Sequence, residues 1–132
     1  MCQQVELGKL SCVSEDARRA ICEFTFKESG GAFQDFLIRD GSKPLGQHFH
    51  RLKEEIFYFL EGSGIIHTAL VDKNGKITGP VKKFEVSKGS VIRITPNQAH
   101  RFDLEPNTRF VAYSSKPFDP NDMVACPIPI EV

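Results

Sequence analysis

Short runs of alternating apolar and polar residues recur along the chain, and turn-forming residues separate them. In CEFTF, the cysteine and both phenylalanines alternate with Glu23 and Thr25, and the turn-forming stretch KESGG follows. The same pattern continues in AFQDFLI, EIFYFL, IIHTALV, KKFEV, SVIRI and RFVAY. A period of two residues is that of a half-buried strand, so these runs predict an all-β sandwich or barrel. SEDARRA is a helix candidate, but it is too short to be stable alone.

The length of 132 residues fits one domain, which we expect to span residues 1–132. Within it we distinguish an N-terminal segment at 1–20 and a C-terminal tail at 117–132. Phenylalanine supplies 11 aromatic side chains, against two tyrosines and no tryptophan. Because phenylalanine carries no polar atom, most of the aromatic surface suits a dry barrel interior.

Positive and negative side chains balance, with 17 lysines and arginines against 17 aspartates and glutamates. This balance favours a small-molecule ligand over nucleic acid or an anionic membrane surface, which both attract strongly basic proteins. The sequence shows neither a signal peptide nor an apolar run long enough to cross a bilayer, so we expect a cytoplasmic protein. The four cysteines form no CxxC pair and are expected to be free thiols.

The stretch GQHFHRLKEE, residues 46–55, contains two histidines one residue apart. Strand residues two positions apart share a face, so His48 and His50 point the same way. After a turn the chain continues as EEIFYFLEG, which can bring a carboxylate level with the imidazoles, and His100 begins a later strand. Imidazole and carboxylate together suit zinc, iron, nickel, copper or manganese, and they leave room for water or substrate.

The histidine pair lies in a pattern that resembles the first motif of the cupin superfamily. That motif reads glycine, five residues, HxH, three or four residues, glutamate, six residues and glycine. The matching residues here are Gly41, His48, His50, Glu55 and Gly62, with six residues in the first gap instead of five.

The second cupin motif is matched at Gly89 and His100. Three of its other positions differ, because Thr95, Asn97 and Leu104 replace a proline, a glycine and an asparagine. Asparagine tolerates the left-handed conformation that a turn glycine commonly adopts, so its substitution is mild. The two motifs and the strands between them cover residues 41–104.

The resemblance implies a cupin-type double-stranded β-helix, which is a jelly-roll barrel, of the RmlC-like class. It also implies one divalent transition metal per chain (Zn, Fe, Ni, Mn or Cu), bound by His48, His50, Glu55 and His100. Alternation alone does not distinguish Glu55 from Glu54, because each glutamate precedes apolar residues on its own face of the same strand. The spacing to Gly62 favours Glu55, and Glu54 remains the alternative because the family also permits the shorter gap.

Three classes of function stay open, because a fold does not determine an activity. The first is a metal-dependent enzyme acting on a small oxygen-bearing metabolite, of the isomerase, epimerase or dioxygenase type, with His48, His50 and His100 as catalytic residues. In support of the dioxygenase type, the strings EEIFYFLEGSG and HRF are similar to segments of acireductone dioxygenases.

The second class is a sugar-nucleotide ketoisomerase or epimerase that uses the pocket histidines as acid and base. The run Gly46, His48, His50 and Arg51 looks like the GxHxHR segment of cupins that convert keto sugars, and YSSKPFDPNDM is similar to the close of related capsular-sugar cupins. The third class is a ligand-binding cupin without catalytic activity, which would act as a sensor of a metabolite.

Five further polar residues are expected to have structural roles. We expect His67 to be a packed or rim histidine, and Arg39 and Arg93 to lie on a solvated sheet face. We expect Tyr58 and Tyr113 to be buried, with hydrogen-bonded hydroxyl groups.

The strand EIFYFL predicts a homodimer, because both of its faces are apolar whereas a barrel strand needs only one apolar face. The outer face therefore needs a cover. The tail ACPIPIEV can supply part of it, since its prolines suit an extended segment at a sheet edge. A second copy of the chain is the expected further cover, with residues 1–20 as the alternative.

Overall fold

A computed structural model describes residues 7, 9–26, 29–40 and 43–130. Gly41 and Cys2 lie outside these residues. The strands are β1 Ser11–Glu15, β2 Arg19–Thr25, β3 Ala32–Ile38, β4 Leu45–Phe49, β5 Glu55–Glu61, β6 Ser63–Val71, β7 Ile77–Ser87, β8 Val91–Ile94, β9 Gln98–Leu104, β10 Arg109–Ser114 and β11 Val124–Ala125, and a 3₁₀ helix spans Pro120–Asp122. Within the described ranges, no helix has the length and apolar composition needed to span a membrane.

The strands form two antiparallel sheets. The order is β1, β2, β3, β10, β5, β8 in the six-stranded sheet and β11, β4, β9, β6, β7 in the five-stranded sheet. Neighbours such as β3 and β10, or β4 and β9, are distant in sequence, as in a jelly roll rather than a simple meander. The predicted all-β architecture is therefore confirmed.

The core lies between the two sheets and is built from the inward positions of the alternating strands. In β5, Phe57 and Phe59 are buried, while Ile56 and Tyr58 point outward and are exposed. Each buried phenylalanine removes a large apolar surface from water, which is worth about 1.5–3 kcal/mol. The buried members of this core are Ile38, Phe57, Phe59, Ile66, Val86, Ile94, Phe102, Leu104, Phe110 and Ala112.

The helix candidate at residues 14–20 is wrong. Those residues contain the end of β1, a tight turn and the start of β2. The Asp16 carboxylate accepts hydrogen bonds from the backbone N–H groups of Arg18 and Arg19. An aspartate that bonds the backbone two or three residues ahead favours a turn over a helix, which explains the difference.

The C-terminal tail does not cover the outer face of β5, so that expectation is also wrong. Strand β11 pairs with β4 in the five-stranded sheet, and the tail then packs on the outer side of that sheet. There the buried side chains of Cys126 and Ile128 contact Phe49, Val71 and Ala99. The tail therefore closes a second apolar cluster on its own chain.

The outer face of the six-stranded sheet keeps its apolar side chains exposed. Tyr58 and Tyr113 lie on this face with 44% and 45% of their surface exposed, so the expectation that both are buried is wrong. Residues 11–15 form an edge strand beside β2 rather than a layer over the face. The exposed apolar residues that lie here are Phe24, Phe33, Leu37, Ile56, Tyr58, Val91 and Tyr113.

We predict that Ile128→Ala lowers the free energy of unfolding by about 2–5 kcal/mol, because it opens a cavity under the docked tail. Chemical denaturation would measure this change. The control is Leu70→Ala, which truncates a side chain that is 58% exposed and should change stability by less than about 0.5 kcal/mol. A truncation after Met123 that left the stability unchanged would contradict the docking of the tail.

Candidate metal centre

Pairing of β4 with β9 places His48 directly opposite His100. The register shifts between Gly46 and His48, where Gly46 has φ +80° and Gln47 has φ +59°. A Cβ at Gly46 would lie 2.6 Å from the carbonyl oxygen of His100, so the close approach of the two strands requires glycine. The irregularity thus sets which residues of β4 face inward.

The three histidines form one cluster inside the barrel. The ring centroids of His48 and His50 are 4.8 Å apart, those of His48 and His100 are 4.7 Å apart, and those of His50 and His100 are 5.5 Å apart. One ring nitrogen from each lies within 4.8 Å of the others, and this arrangement is suited to holding a metal ion.

Backbone carbonyl groups orient two of the imidazole rings. His50 Nδ1 lies 2.5 Å from the carbonyl oxygen of Asp122, and His100 Nδ1 lies 3.1 Å from that of Gln98. Because a carbonyl oxygen only accepts, both Nδ1 atoms must donate. Nε2 is then the atom of each ring that faces the site. Metal-binding histidines commonly show this second bond, which fixes the ring and its tautomer.

Glu55 lies beside the histidines, while Glu54 points outward. Glu55 Oε1 is 3.3 Å from His50 Nε2, and Glu55 is only 5% exposed. Glu54 instead accepts two hydrogen bonds of 3.0 Å from Arg93 on the outer face. Among the described residues, the three histidines bring their ring nitrogens within 4.8 Å of one another, and Glu55 contacts one of them, His50.

Lys53 brings a positive charge to the same buried carboxylate. Its side chain is 5% exposed, and its Nζ is 3.8 Å from Glu55 Oε2. Burial opposes ionisation of Glu55, but the contact with His50 and the charge of Lys53 outweigh it and lower the pKa to about 2. The carboxylate is therefore charged at neutral pH, and an ionised carboxylate is the form that ligates metal.

The imidazoles of His48 and His100 are neutral at pH 7. Burial, together with the neighbouring His100 and His50, lowers the pKa of His48 to about 3. Burial also lowers the pKa of His100, although the charge of Glu55 opposes this shift. A neutral imidazole offers a lone pair to a metal, so these histidines do not have to lose protons before they bind one.

The cluster opens into a cavity of about 150 Å³ between the sheets. Aromatic side chains form much of its wall, and Arg18, Arg19, Gln34 and Lys53 add polar groups to it. The aromatic residues that line it are Phe36, Phe57, Phe102, Phe110 and Phe118. Such a cavity combines apolar enclosure with a few fixed polar groups, as small-molecule sites do.

The remaining sequence-predicted candidates lie away from the cavity wall. Arg39 pairs with Glu15 at 2.6 Å, and Arg93 pairs with Glu54, so both have the surface role that we expected. His67 is half-buried on β6, where it pairs in register with Lys83 and Arg101.

The chain was compared with known proteins. No family model matches it. An acireductone dioxygenase from Alcanivorax borkumensis is 38% identical over 72 residues, which are 53% of this chain and 34% of that enzyme. The protein MJ1618 from Methanocaldococcus jannaschii is 37% identical over 67 residues, which are 51% of this chain and 44% of that protein. The chain thus spans less than half the length of these curated relatives.

Solved structures superpose on nearly the whole chain. Capsular polysaccharide assembling protein CapF from Staphylococcus aureus gives a TM-score of 0.74 at 21% identity, covering 92% of this chain and 33% of that chain. A variant of oxalate decarboxylase from Bacillus subtilis gives 0.64 at 16% identity, covering 93% of this chain and 33% of that chain. Both contain cupin domains. The chain has the cupin fold. The predicted jelly-roll architecture is confirmed.

The backbone angles at Gly62 and Asn97 explain why these residues fit two positions of the cupin motifs. Gly62 has φ +90°, and an added Cβ would overlap Thr108. Asn97 has φ +64°, which is the left-handed conformation expected where asparagine replaces glycine. Its side chain accepts a hydrogen bond from Arg51 at 3.0 Å, so the substitution also adds a contact to the loop after His50.

Sequence reasoning missed four residues of this cupin site: Lys53, Arg19, Gln34 and Asp122. For Asp122 there was a signal, because it lies in YSSKPFDPNDM, the segment noted for its similarity to capsular-sugar cupins. Its buried carboxylate accepts hydrogen bonds from the N–H groups of Arg51 at 2.8 Å and Leu52 at 3.3 Å. Asp122 therefore holds both His50 and the loop that follows it.

We predict that Asp122→Ala loosens this loop, because two amides lose their acceptor. Hydrogen exchange at Arg51 and Leu52 should become faster, and the free energy of unfolding should fall by about 1–3 kcal/mol. Asp103→Ala is the control, since Asp103 pairs with Arg101 on the outside of the sheet. Equal protection of the two amides in the variant and in the unaltered chain would contradict this role.

Proposed function

We propose that this cupin is a metal-dependent enzyme that acts on a small oxygen-bearing metabolite in the cavity. The observation that carries the proposal is the convergence of the ring nitrogens of His48, His50 and His100 within 4.8 Å at the cavity wall. In the proposal these histidines and Glu55 bind one divalent transition metal per chain, and substrate oxygen approaches from the cavity.

The donor set fits such an ion. Three imidazole nitrogens and one carboxylate match the ligand preferences of zinc, iron, nickel, manganese and copper. The 3.3 Å separation between His50 Nε2 and Glu55 Oε1 brings these two donors together at one side of the cluster. The neutral imidazoles of His48 and His100 and the ionised carboxylate of Glu55 are also in the protonation states that ligation requires.

The residues around the cluster prepare the site for chemistry. When bound, the metal would supply Lewis acidity to a substrate oxygen. Lys53 offsets the charge of Glu55, and the carbonyl groups of Asp122 and Gln98 hold two imidazoles in place. The aromatic wall lowers the local dielectric, which strengthens the electrostatic contacts inside. The similarity to an acireductone dioxygenase supports an oxidative reaction as the first type to assay.

The pKa of His48 and the contacts of Arg51 favour this proposal over a sugar-nucleotide isomerase that works through acid and base histidines. A proton shuttle needs a pKa near the working pH, whereas the pKa of His48 is about 3. Arg51, the arginine of the GxHxHR run, bonds the carbonyl oxygens of Asp72 and Lys73 and the side chain of Asn97. The side chain of Arg51 therefore holds these loops together.

We predict that protein purified without a histidine tag contains about one transition metal per chain, and that His50→Ala loses most of it. Elemental analysis by mass spectrometry would measure the content. Glu55→Gln should weaken binding by about 10- to 100-fold, because it removes the charged ligand.

Glu54→Gln is the matched control, since the same change on the outer face should leave metal content unaltered. Full metal retention by folded His50→Ala would count against the site. Metal binding and tight ligand binding without turnover of any tested metabolite would instead support the sensor.

We also propose that the chain forms a homodimer through the outer face of the six-stranded sheet. This face exposes a band of apolar side chains that includes Ile56, Tyr58 and Tyr113. The charged groups on it are already paired, Arg93 with Glu54 and Arg109 with Asp35. A face without unpaired charge of one sign does not repel an identical copy, and two-fold pairing is the commonest closed symmetry.

We predict a dimeric mass at micromolar concentration by light scattering. Tyr58→Glu should shift the chain to a monomer, because a two-fold axis would place the new charges near each other in an apolar contact. Leu70→Glu is the control, since Leu70 is exposed on the other sheet. A monomeric mass for the unaltered chain would exclude the dimer.

A further inference from the structure

Two buried polar atoms in the cavity wall have no hydrogen-bond partner. They are Nη1 of Arg19 and Oε1 of Gln34. Both residues line the same cavity as the three histidines, and neither belongs to the proposed metal ligands. A buried polar atom without a partner costs about 1–3 kcal/mol, so such atoms point to a ligand that completes them.

The chemical character of the Gln34 atom is fixed by its neighbour. Gln34 is 1% exposed, and its Nε2 donates to the carboxylate of Glu23 at 2.7 Å. The same carboxylate oxygen accepts from the N–H of Phe118 at 3.0 Å. An ionised carboxylate can only accept hydrogen bonds, so the amide group of Gln34 must turn its nitrogen toward Glu23. Oε1 is therefore an acceptor, and it needs a hydroxyl or N–H group.

The Arg19 atom is a charged donor. Its guanidinium lies 3.6 Å from Asp16 Oδ2, but that carboxylate is already held by Arg18 at 2.9 Å. Burial lowers the pKa of Arg19, against the charge of Asp16, which shows that its cation is partly desolvated. Two arginines share the carboxylate of Asp16 at this end of the cavity, so Arg19 Nη1 can still donate to an oxyanion.

Arg19 and Gln34 lie four positions apart along neighbouring strands. Arg19 pairs across the strands with Ile38, which lies four residues after Gln34 on β3. That offset separates the two backbones by about 13 Å at the usual rise of a strand, although the arginine side chain shortens the gap. A carboxylate at Arg19 and a hydroxyl group at Gln34 would therefore be separate parts of one molecule.

We propose that the cavity binds a small hydroxycarboxylic acid, with its carboxylate on Arg19 and a hydroxyl group donating to Gln34. The inference rests on the proposed function for the role of the remaining oxygen, which would face the metal. The cavity of about 150 Å³ has the volume of cavities that bind a molecule the size of benzene in other proteins, which matches a short acid. A cavity that leaves a buried donor and a buried acceptor without hydrogen bonds discriminates strongly against analogues that lack the matching group.

The test is calorimetric titration of the full chain with lactate, malate and tartrate. Each is compared with an analogue that lacks the hydroxyl group, propionate or succinate, and with one that lacks the charge, lactamide or malamide. We expect at least one hydroxy acid to bind with a millimolar or lower Kd, and both kinds of analogue to bind about 10- to 100-fold more weakly.

Arg19→Gln should weaken binding of the hydroxy acid by about 10- to 100-fold and leave binding of its amide unchanged. Arg39→Gln is the matched control, because it removes the same charge from a surface arginine outside the cavity wall. Arg19→Lys, which keeps the charge, should recover part of the affinity. Thermal melting and metal content show that each variant is folded.

The outcomes separate this proposal from the metal site. Unchanged affinity in folded Arg19→Gln, or equal affinity for acids and amides, overturns the acid site even if metal is bound. Failure of all three hydroxy acids to bind at millimolar concentration also overturns it. If a hydroxy acid still binds through Arg19 after a chelator has removed the metal, the acid site is supported. This holds even if elemental analysis finds no metal in the purified protein.

Discussion

The register between β4 and β9 is the constraint on which the site depends. Pairing of His48 with His100 brings two imidazoles into edge-to-face contact, and the register shift at Gly46 and Gln47 allows that pairing. A slip of one residue would turn Phe49 inward and move His48 to the outside, because side chains alternate along a strand. The buried cluster around Phe49 opposes such a slip, since the slip would remove a fully buried aromatic ring from its apolar contacts.

The segment from the 3₁₀ helix to Ile128 links this register to the histidine cluster. At one end, Asp122 holds the ring of His50 and the two following amides. At the other end, the tail covers Phe49, and the N–H of Ile128 donates to the Gln47 side chain at 2.9 Å. One segment therefore stabilises both the strand that carries the histidines and the loop that follows it, so the docking of the tail and the geometry of the histidine cluster are coupled.

Local patterns predicted those parts of the site that depend on local geometry. The HxH alternation gave a shared face for His48 and His50, and spacing favoured Glu55, which does lie inward beside them. Lys53 could not be recognised, because a lysine in RLKEE has the pattern of a solvated loop until the turn folds it against Glu55. The inward position of Gln34 follows from alternation in β3, but its unpaired oxygen depends on Glu23, a contact between strands.

The charges in the cavity give it two chemically different ends. At the histidine end, Lys53 and Glu55 neutralise each other, so a divalent ion would determine the net charge there. At the other end, Arg18 and Arg19 share the carboxylate of Asp16. Both ends therefore attract oxyanions once a metal is present, and the aromatic wall between them keeps the local dielectric low. A neutral metabolite would satisfy only one end, whereas an acid with a second oxygen group satisfies both.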